Sequence, residues 1–244
     1  MVRNKNISVI IPAAGNSIRL NAGTSKQFIL LSNKPLLFYL LDKFLVLDNL
    51  QEIIVVSNDI SGTESLLDNY GGDKSKIKIV KGGELRQDSV LFGFNALNPN
   101  TTLVIIHDVA RPLFDLTDLE KCINCAEANG ACVLACPVSD TIKKAKYDND
   151  RLVVETTIDR SNLYAVQTPQ VFQYKLLGEV YKKYCEICVD KPVVTDEAKL
   201  VELLGGKVDL VIGKRSNIKI TYPEDLEIAL ALLRKESKMS LRAE

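Results

Sequence analysis

Four short stretches of this chain carry residue types suited to handling phosphate. The first reads Pro12-Ala13-Ala14-Gly15-Asn16-Ser17-Ile18-Arg19, with Ser25-Lys26-Gln27 soon after. Small residues directly after an apolar run let backbone N–H groups approach phosphate oxygens, and Arg19 and Lys26 would add charge where a triphosphate lies. The stretch has neither the GxGxxG of dinucleotide binders nor the GxxxxGK[ST] of P-loops, which counts against dehydrogenases and P-loop ATPases. A plain tight turn explains a lone glycine-bearing loop equally well. In the second stretch, Gly82-Gly83-Glu84-Leu85-Arg86-Gln87-Asp88-Ser89, the glycines could seat a base or ribose, or Asp88 or Ser89 could simply cap a helix. The third, His107-Asp108-Val109-Ala110-Arg111, sets an aspartate just past an apolar run, where one carboxylate can hold Mg²⁺ for phosphoryl transfer. Arg111 could instead pair with Asp108 and fix the loop. His107 is the single histidine, so a histidine relay has no second member and a structural role is expected. In the fourth, Asn217-Ile218-Lys219-Ile220-Thr221, a strand would turn Ile218 and Ile220 to the core and Lys219 to the other face with Asn217 and Thr221. Lys219 is then either a fixed cation in a cleft or a solvated lysine.

These stretches need a scaffold, and the hydrophobic pattern supplies one. Ile7–Ile11, Ile53–Val56, Ile77–Val80 and Leu103–Ile106 are short apolar runs of strand length. Helical spacing connects Leu36, Leu37, Leu40, Leu41, Phe44 and Leu45, and helices are expected around Leu66–Tyr70 and Val90–Leu97. Strands apolar on both faces, alternating with helices, indicate an α/β fold: a doubly wound, mainly parallel sheet covered on both sides. Ligands of such sheets bind beyond the carboxyl ends of the strands, where the glycine-rich stretches fall. Between Val138 and Phe172 the alternation stops. Thr141–Lys146 and Leu152–Thr157 flank the turn Tyr147-Asp148-Asn149-Asp150 and predict a hairpin, either packed on its own subunit or projecting as an arm towards a second one. Pro223 with Glu224 and Asp225 opens a final helix with a stripe of Leu226, Ala229, Leu230 and Leu233. One domain spanning residues 1–244 is expected.

Composition narrows the partners. Thirty-one basic residues balance 31 acidic ones, so bulk charge attracts neither nucleic acid nor anionic membrane. No apolar run has the length of a membrane span, and the N-terminus has no signal-like h-region, so a cytoplasmic protein is expected. The 6 cysteines include two CxxC pairs, Cys122/Cys125 and Cys185/Cys188. Zinc is one reading; small apolar residues on one helix face are the other, and the better one for Cys122 and Cys125.

Taken in order, the motifs PAAG with Arg19 and SKQ, GGELRQDSV, HDVARP, PVSDTIK, TTIDR, QTPQVF, TDEA and NIKITYPEDL resemble the 2-C-methyl-D-erythritol 4-phosphate cytidylyltransferases, over nearly the full chain. The resemblance implies a β-arm that makes a homodimer, CTP as co-substrate and Mg²⁺ as cofactor. It implies that Ala13, Ala14, Gly15, Gly83 and Ser89 contact the cytidine part. Arg19, Lys26 and Lys219 would stabilise the triphosphate and the transition state, and Asp108 would support Mg²⁺. Thr141, Arg160, Thr168, Thr195 and Asp196 match the family's contacts to the substrate phosphate and diol, some of them delivered by the partner's arm. Two positions depart from many members: Ser17 replaces a second loop glycine, and Ser25 replaces a proline. Ribitol-5-phosphate cytidylyltransferases share the fold, the first loop and QTPQ, but DSV, PVSDTIK and TDEA lie closer to the methylerythritol enzymes. A non-catalytic nucleotide-binding module would have no need to keep Arg19, Lys26, Asp108 and Lys219 together.

Overall fold

The computed structural model describes residues 5–15, 25–187 and 193–240, with the side chains of 236–240 left aside. The chain opens with β1 (Ile7–Pro12), a 3₁₀ turn at Lys26–Phe28, and a small ladder of β2 (Leu30–Leu31) with β3 (Lys34–Pro35). There follow α1 (Leu36–Leu45), β4 (Leu50–Ser57), α2 (Ile60–Asp68), β5 (Ile77–Lys81), α3 (Arg86–Asn95), β6 (Leu103–Ile106), α4 (Leu116–Asn129) and β7 (Ala131–Pro137). The last part comprises β8 (Ile142–Asp148), β9 (Arg151–Ile158), β10 (Tyr164–Gln173), α5 (Tyr174–Glu186), α6 (Glu197–Leu203), β11 (Asp209–Ile212) and α7 (Pro223–Ser240).

Seven strands form one sheet in the order β11-β7-β10-β6-β1-β4-β5. All neighbours run parallel except β10, which is antiparallel to both β6 and β7. The exception follows from the connection: β7 leads into the β8–β9 hairpin, and a chain that returns without a crossover helix pairs antiparallel. From β1 the chain passes to β4 and β5 on one side, then crosses back to β6 on the other. The gap beyond the ends of β1 and β6 is therefore the topological switch point, where open α/β sheets bind ligands.

The period of two decides which side of the sheet each residue serves. Val9 stands level with Ile53 and Ile105, and all three enter the core beneath α1 and α4, with Leu41, Phe44, Leu119 and Cys122. Ile10, level with Ile54 and Ile106, points the opposite way into the core beneath α3, α5 and α6, with Val90, Phe94, Leu177 and Val201. A third cluster packs Leu36, Leu113, Ile220 and Ala229 beside partly buried Leu226, Leu230 and Leu233 of α7. α3 lies unusually close to the sheet. A Cβ at Gly93 would sit 2.8 Å from Ile10 Cγ2 and 2.9 Å from Val56 Cγ2, so only glycine allows this approach.

The hairpin forms as the sequence predicts: β8 and β9 pair with each other in a separate two-stranded sheet, joined through Asn149 and Asp150, both at positive φ. Its residues are exposed almost throughout, Tyr147, Leu152 and Val154 included. The expected helices occur with shifted ends, at Ile60–Asp68 and Arg86–Asn95. The strand expected at 217–221 does not form: the segment joins no ladder, and its backbone is tied to the loop after β6 by Ile220 N–H to Ala110 O, 2.8 Å. Among the described residues no helix is long and apolar enough to cross a membrane.

Candidate active site

The loop after β1 is pinned at both ends of its described part. The Ala13 N–H donates to Val56 O at 2.8 Å, and Asn58 Nδ2 donates to Ala14 O at 3.1 Å. Across from it, Gly82 and Gly83 lead into α3. A Cβ on Gly82 would lie 2.4 Å from Ala14 Cβ, so the two loops can touch only because that position lacks a side chain. Neither residue weighed as a cap is the N-cap of α3, since that position belongs to Leu85. Asp88 sits inside the first turn and reaches back to accept from Leu85 N at 3.3 Å, half of a capping box. Ser89 Oγ accepts from Gly83 N at 3.0 Å and donates to Leu85 O at 3.2 Å, which fixes the glycine loop.

These two loops, the β6 loop and the 217–221 segment surround one hollow at the switch point. Its lining includes Ala13, Ala14, Gly15, Lys26, Gly83, Ser89, Asp108 and Lys219, and also Arg86. Lys26 reaches it from the 3₁₀ turn and donates to Ile220 O at 2.7 Å. Lys219 Nζ lies 2.6 Å from Asp108 Oδ2, and Arg86 Nη2 lies 3.4 Å from Asp108 Oδ1. Burial pushes the Asp108 carboxyl up, but Arg86 and Lys219 outweigh it and hold the group well below the usual carboxylate range. Arg86 Nη1 donates to both oxygens of Glu197, at 3.1 and 3.0 Å. Burial pushes the Glu197 carboxyl up against the pull of Arg86, while Glu197 and Asp108 keep the Arg86 guanidinium firmly cationic against its own burial.

A second hollow adjoins the first and shares Arg86, Asp108 and Lys219 with it. Thr168, Gln170, Thr195 and Asp196 line it. Thr168 precedes a cis proline and accepts the Asp108 N–H on its Oγ1 at 3.0 Å. Asp196 is the N-cap of α6, accepting from Lys199 N at 2.9 Å, and also accepts from Gln170 Nε2 at 2.8 Å.

Thr141 and Arg160 line neither hollow. They flank the exposed hairpin, where Arg160 donates to the Ser139 carbonyl. Arg19 and Cys188 lie outside the described residues. Arg111 forms no ion pair with Asp108. Its guanidinium donates to the carbonyls of Asn217 (2.8 Å) and Val166 (3.5 Å), leaving Asp108 to Arg86 and Lys219. Asn217 is 2% exposed. It does not share the open side of Lys219: its amide donates to Gln167 Oε1 and to the Thr168 carbonyl, and a backbone outside any strand ladder leaves it free to turn inward. His107 is fully buried against Phe44 and Phe114, its Nε2 2.9 Å from Arg111 O, and burial lowers its pKa to about 3. It stays neutral and braces the loop. Cys122 is buried in α4 and donates to Cys132 O. No group of three His, Cys, Asp or Glu among the described residues is placed to hold a metal.

Sequence reasoning missed Arg86. Its local signal was an arginine at the first helical position after two glycines, but its partner Glu197 stands 111 residues away and no spacing rule connects them.

A switch-point hollow walled by a small-residue loop, a second glycine loop and three converging cations defines a nucleotidyltransferase of the doubly wound α/β type. A family model described as 2-C-methyl-D-erythritol 4-phosphate cytidylyltransferase matches residues 7–235. A curated relative of that name from Caldanaerobacter subterraneus subsp. tengcongensis is 40% identical over 233 residues, covering 94% of this chain and 100% of its own. A crystal structure of 4-diphosphocytidyl-2C-methyl-D-erythritol synthase from Anaerococcus prevotii superposes with a TM-score of 0.79 at 34% identity, covering 96% of this chain and 98% of its own. The 2-C-methyl-D-erythritol 4-phosphate cytidylyltransferase of Thermus thermophilus superposes at 0.74 with 30% identity, covering 94% and 99%. The chain belongs to the 2-C-methyl-D-erythritol 4-phosphate cytidylyltransferase family, and its reaction is cytidylyl transfer. The ribitol phosphate alternative is not favoured by these matches.

Proposed function

We propose that the chain transfers CMP from CTP to 2-C-methyl-D-erythritol 4-phosphate, releasing pyrophosphate, in isoprenoid precursor biosynthesis. The observation that carries the residue assignment is the meeting of Lys26, Lys219 and Asp108 on one hollow that runs into another lined by Thr168, Thr195 and Asp196. Ala13, Ala14, Gly15, Gly83 and Ser89 hold the cytidine part in the first hollow. Arg19, Lys26 and Lys219 hold the triphosphate, and the polyol phosphate lies in the second hollow.

A phosphate oxygen of the polyol substrate attacks the α-phosphorus of CTP in line. The bond from that phosphorus to the bridging oxygen breaks, and pyrophosphate leaves with the electron pair. The attacking phosphate is largely ionised at neutral pH, so no general base is required, in keeping with a neutral, buried His107. The chain's own work is to align two polyanions and to set cations where charge develops. Asp108 would hold Mg²⁺ together with the nucleotide phosphates: its carboxylate lines both hollows and Arg86 and Lys219 keep it ionised. When bound, Mg²⁺ would supply charge neutralisation at the phosphates.

The exposed apolar residues of the hairpin support an arm that embraces a second subunit, so that the partner's Thr141 and Arg160 complete the second hollow. The chain acts as a single unit over residues 1–244, as a cytoplasmic homodimer on small molecules, without nucleic acid or membrane. A substrate panel tests the reading: pyrophosphate release from CTP is measured with 2-C-methyl-D-erythritol 4-phosphate and with ribitol 5-phosphate. Preference for ribitol 5-phosphate, or no release with either, overturns it.

A further inference from the structure

Glu197 is a charged side chain with almost no contact with water, 1% exposed, and its ionic partner among the described residues is Arg86. Arg86 faces two ways, giving one terminal nitrogen to both Glu197 oxygens and the other to Asp108. Asp108 then holds Lys219 with its remaining oxygen. The result is a row of alternating charge, Glu197–Arg86–Asp108–Lys219, leading from the first turn of α6 to the shared wall of the two hollows. The guanidinium's stronger contacts point away from the hollow, 3.0–3.1 Å to Glu197 against 3.4 Å to Asp108. The Tyr181 hydroxyl, buried nearby, has no hydrogen-bond partner among the described residues, so it does not compete with Arg86 for Glu197. Beside this pair, Gln87 accepts from Val194 N at 2.7 Å and donates to Tyr184, so neighbouring α3 residues hold the whole 194–197 segment.

We infer that Glu197 is a positioning residue for cytidylyl transfer: it draws the Arg86 guanidinium back from Asp108, and so keeps Asp108 available to align Lys219 at the reacting phosphate. Without its charge, Arg86 can turn both terminal nitrogens onto Asp108 in a bidentate pair, the geometry arginine and carboxylate favour. Asp108 then releases Lys219. Glu197 touches no substrate in this scheme, so its loss should act on turnover through Arg86 and leave nucleotide affinity nearly alone.

The inference rests on the site assignment proposed above, and a double-mutant cycle in steady-state kinetics separates the two. Arg86→Gln is expected to lower kcat by roughly 30-fold or more, and Glu197→Gln by roughly 10-fold with KM for CTP changed less than about threefold. Arg86→Gln/Glu197→Gln is expected to be no slower than Arg86→Gln, since residues acting as one unit are not additive. Wild-type turnover in Lys219→Ala overturns the site assignment itself, because Lys219 is one of the cations it places on the first hollow. An impaired Arg86→Gln with an unimpaired Glu197→Gln overturns only the inference. So does a double variant slower than Arg86→Gln by more than about fivefold, or a Glu197→Gln effect confined to KM. Should Glu197→Gln fail to fold, the comparison of the double variant with Arg86→Gln decides alone.

Discussion

Replacing Gly93 by alanine should destabilise the protein even though alanine is the better helix former. Position 93 is inside α3, so the propensity gain is about 1 kcal/mol. Against it, the new methyl group would lie 2.8 Å from Ile10 Cγ2 and 2.9 Å from Val56 Cγ2. Both neighbours are fully buried, β-branched strand residues with little rotamer freedom. Relieving such contacts by moving backbone or side chains costs roughly 1–3 kcal/mol. The expected net is a loss of about 1 kcal/mol, a fall in Tm of roughly 2–4 °C for a chain of this size. Backing α3 away from the sheet also carries Arg86 and Ser89 outward, so KM for CTP should rise. Gly178, within α5, is the matched control: an added Cβ there would meet Phe94 Cζ at 3.4 Å, an ordinary contact, so Gly178→Ala should gain about 0.5–1 kcal/mol. Urea unfolding of the two variants reads the difference, and shifts of the same sign would refute the close-packing argument.

Lys26→Ala or Lys219→Ala should lower kcat by roughly 10²-fold, the scale for one preorganised charge contact; wild-type turnover in either removes that residue from the mechanism. Arg160→Ala should chiefly raise KM for the polyol phosphate, and an effect restricted to CTP would contradict its role. His107 sets an acid limit. Its folded-state pKa of about 3 is below the ordinary value of about 6.5, so between them the unfolded chain binds a proton the folded one refuses. Its contribution is complete above about pH 6.5 and is lost as pH falls towards 3, a cost of roughly 2 kcal/mol at pH 5. His107→Asn, less stable at neutral pH, should show a flatter decline between pH 7 and 5 in denaturant titrations; parallel declines would exclude the buried imidazole as the cause.

The parts of this molecule that follow from neighbours in sequence were legible. The runs around Val9, Ile54 and Ile105 declare strands buried on both faces, the Asn149–Asp150 pair declares a hairpin turn, and Pro223 with its acidic successors declares a helix start. The glycine loops announced the end of the sheet at which ligands bind. What escaped depends on groups that meet only after folding. The antiparallel course of β10 is set by the hairpin before it rather than by its own residues. Asn217 turns inward because an unladdered backbone does not impose strand alternation, and the Thr168 carbonyl there takes its amide. Arg86 was readable as a helix-initial arginine, but its selection of Glu197 and Asp108 over bulk solvent was not.

The row of charges from Glu197 to Lys219 differs at its two ends in access to water: the side chain of Glu197 is 1% exposed and that of Lys219 41%, with Arg86 at 28% and Asp108 at 13% between them. Dissolved ions screen the outer link far more than the inner one. Rising ionic strength should therefore slacken the Lys219 end first, while the interior pair continues to fasten α3 to α6. Concentrated salt would silence this enzyme well before it loosened the protein, and dilution would restore it.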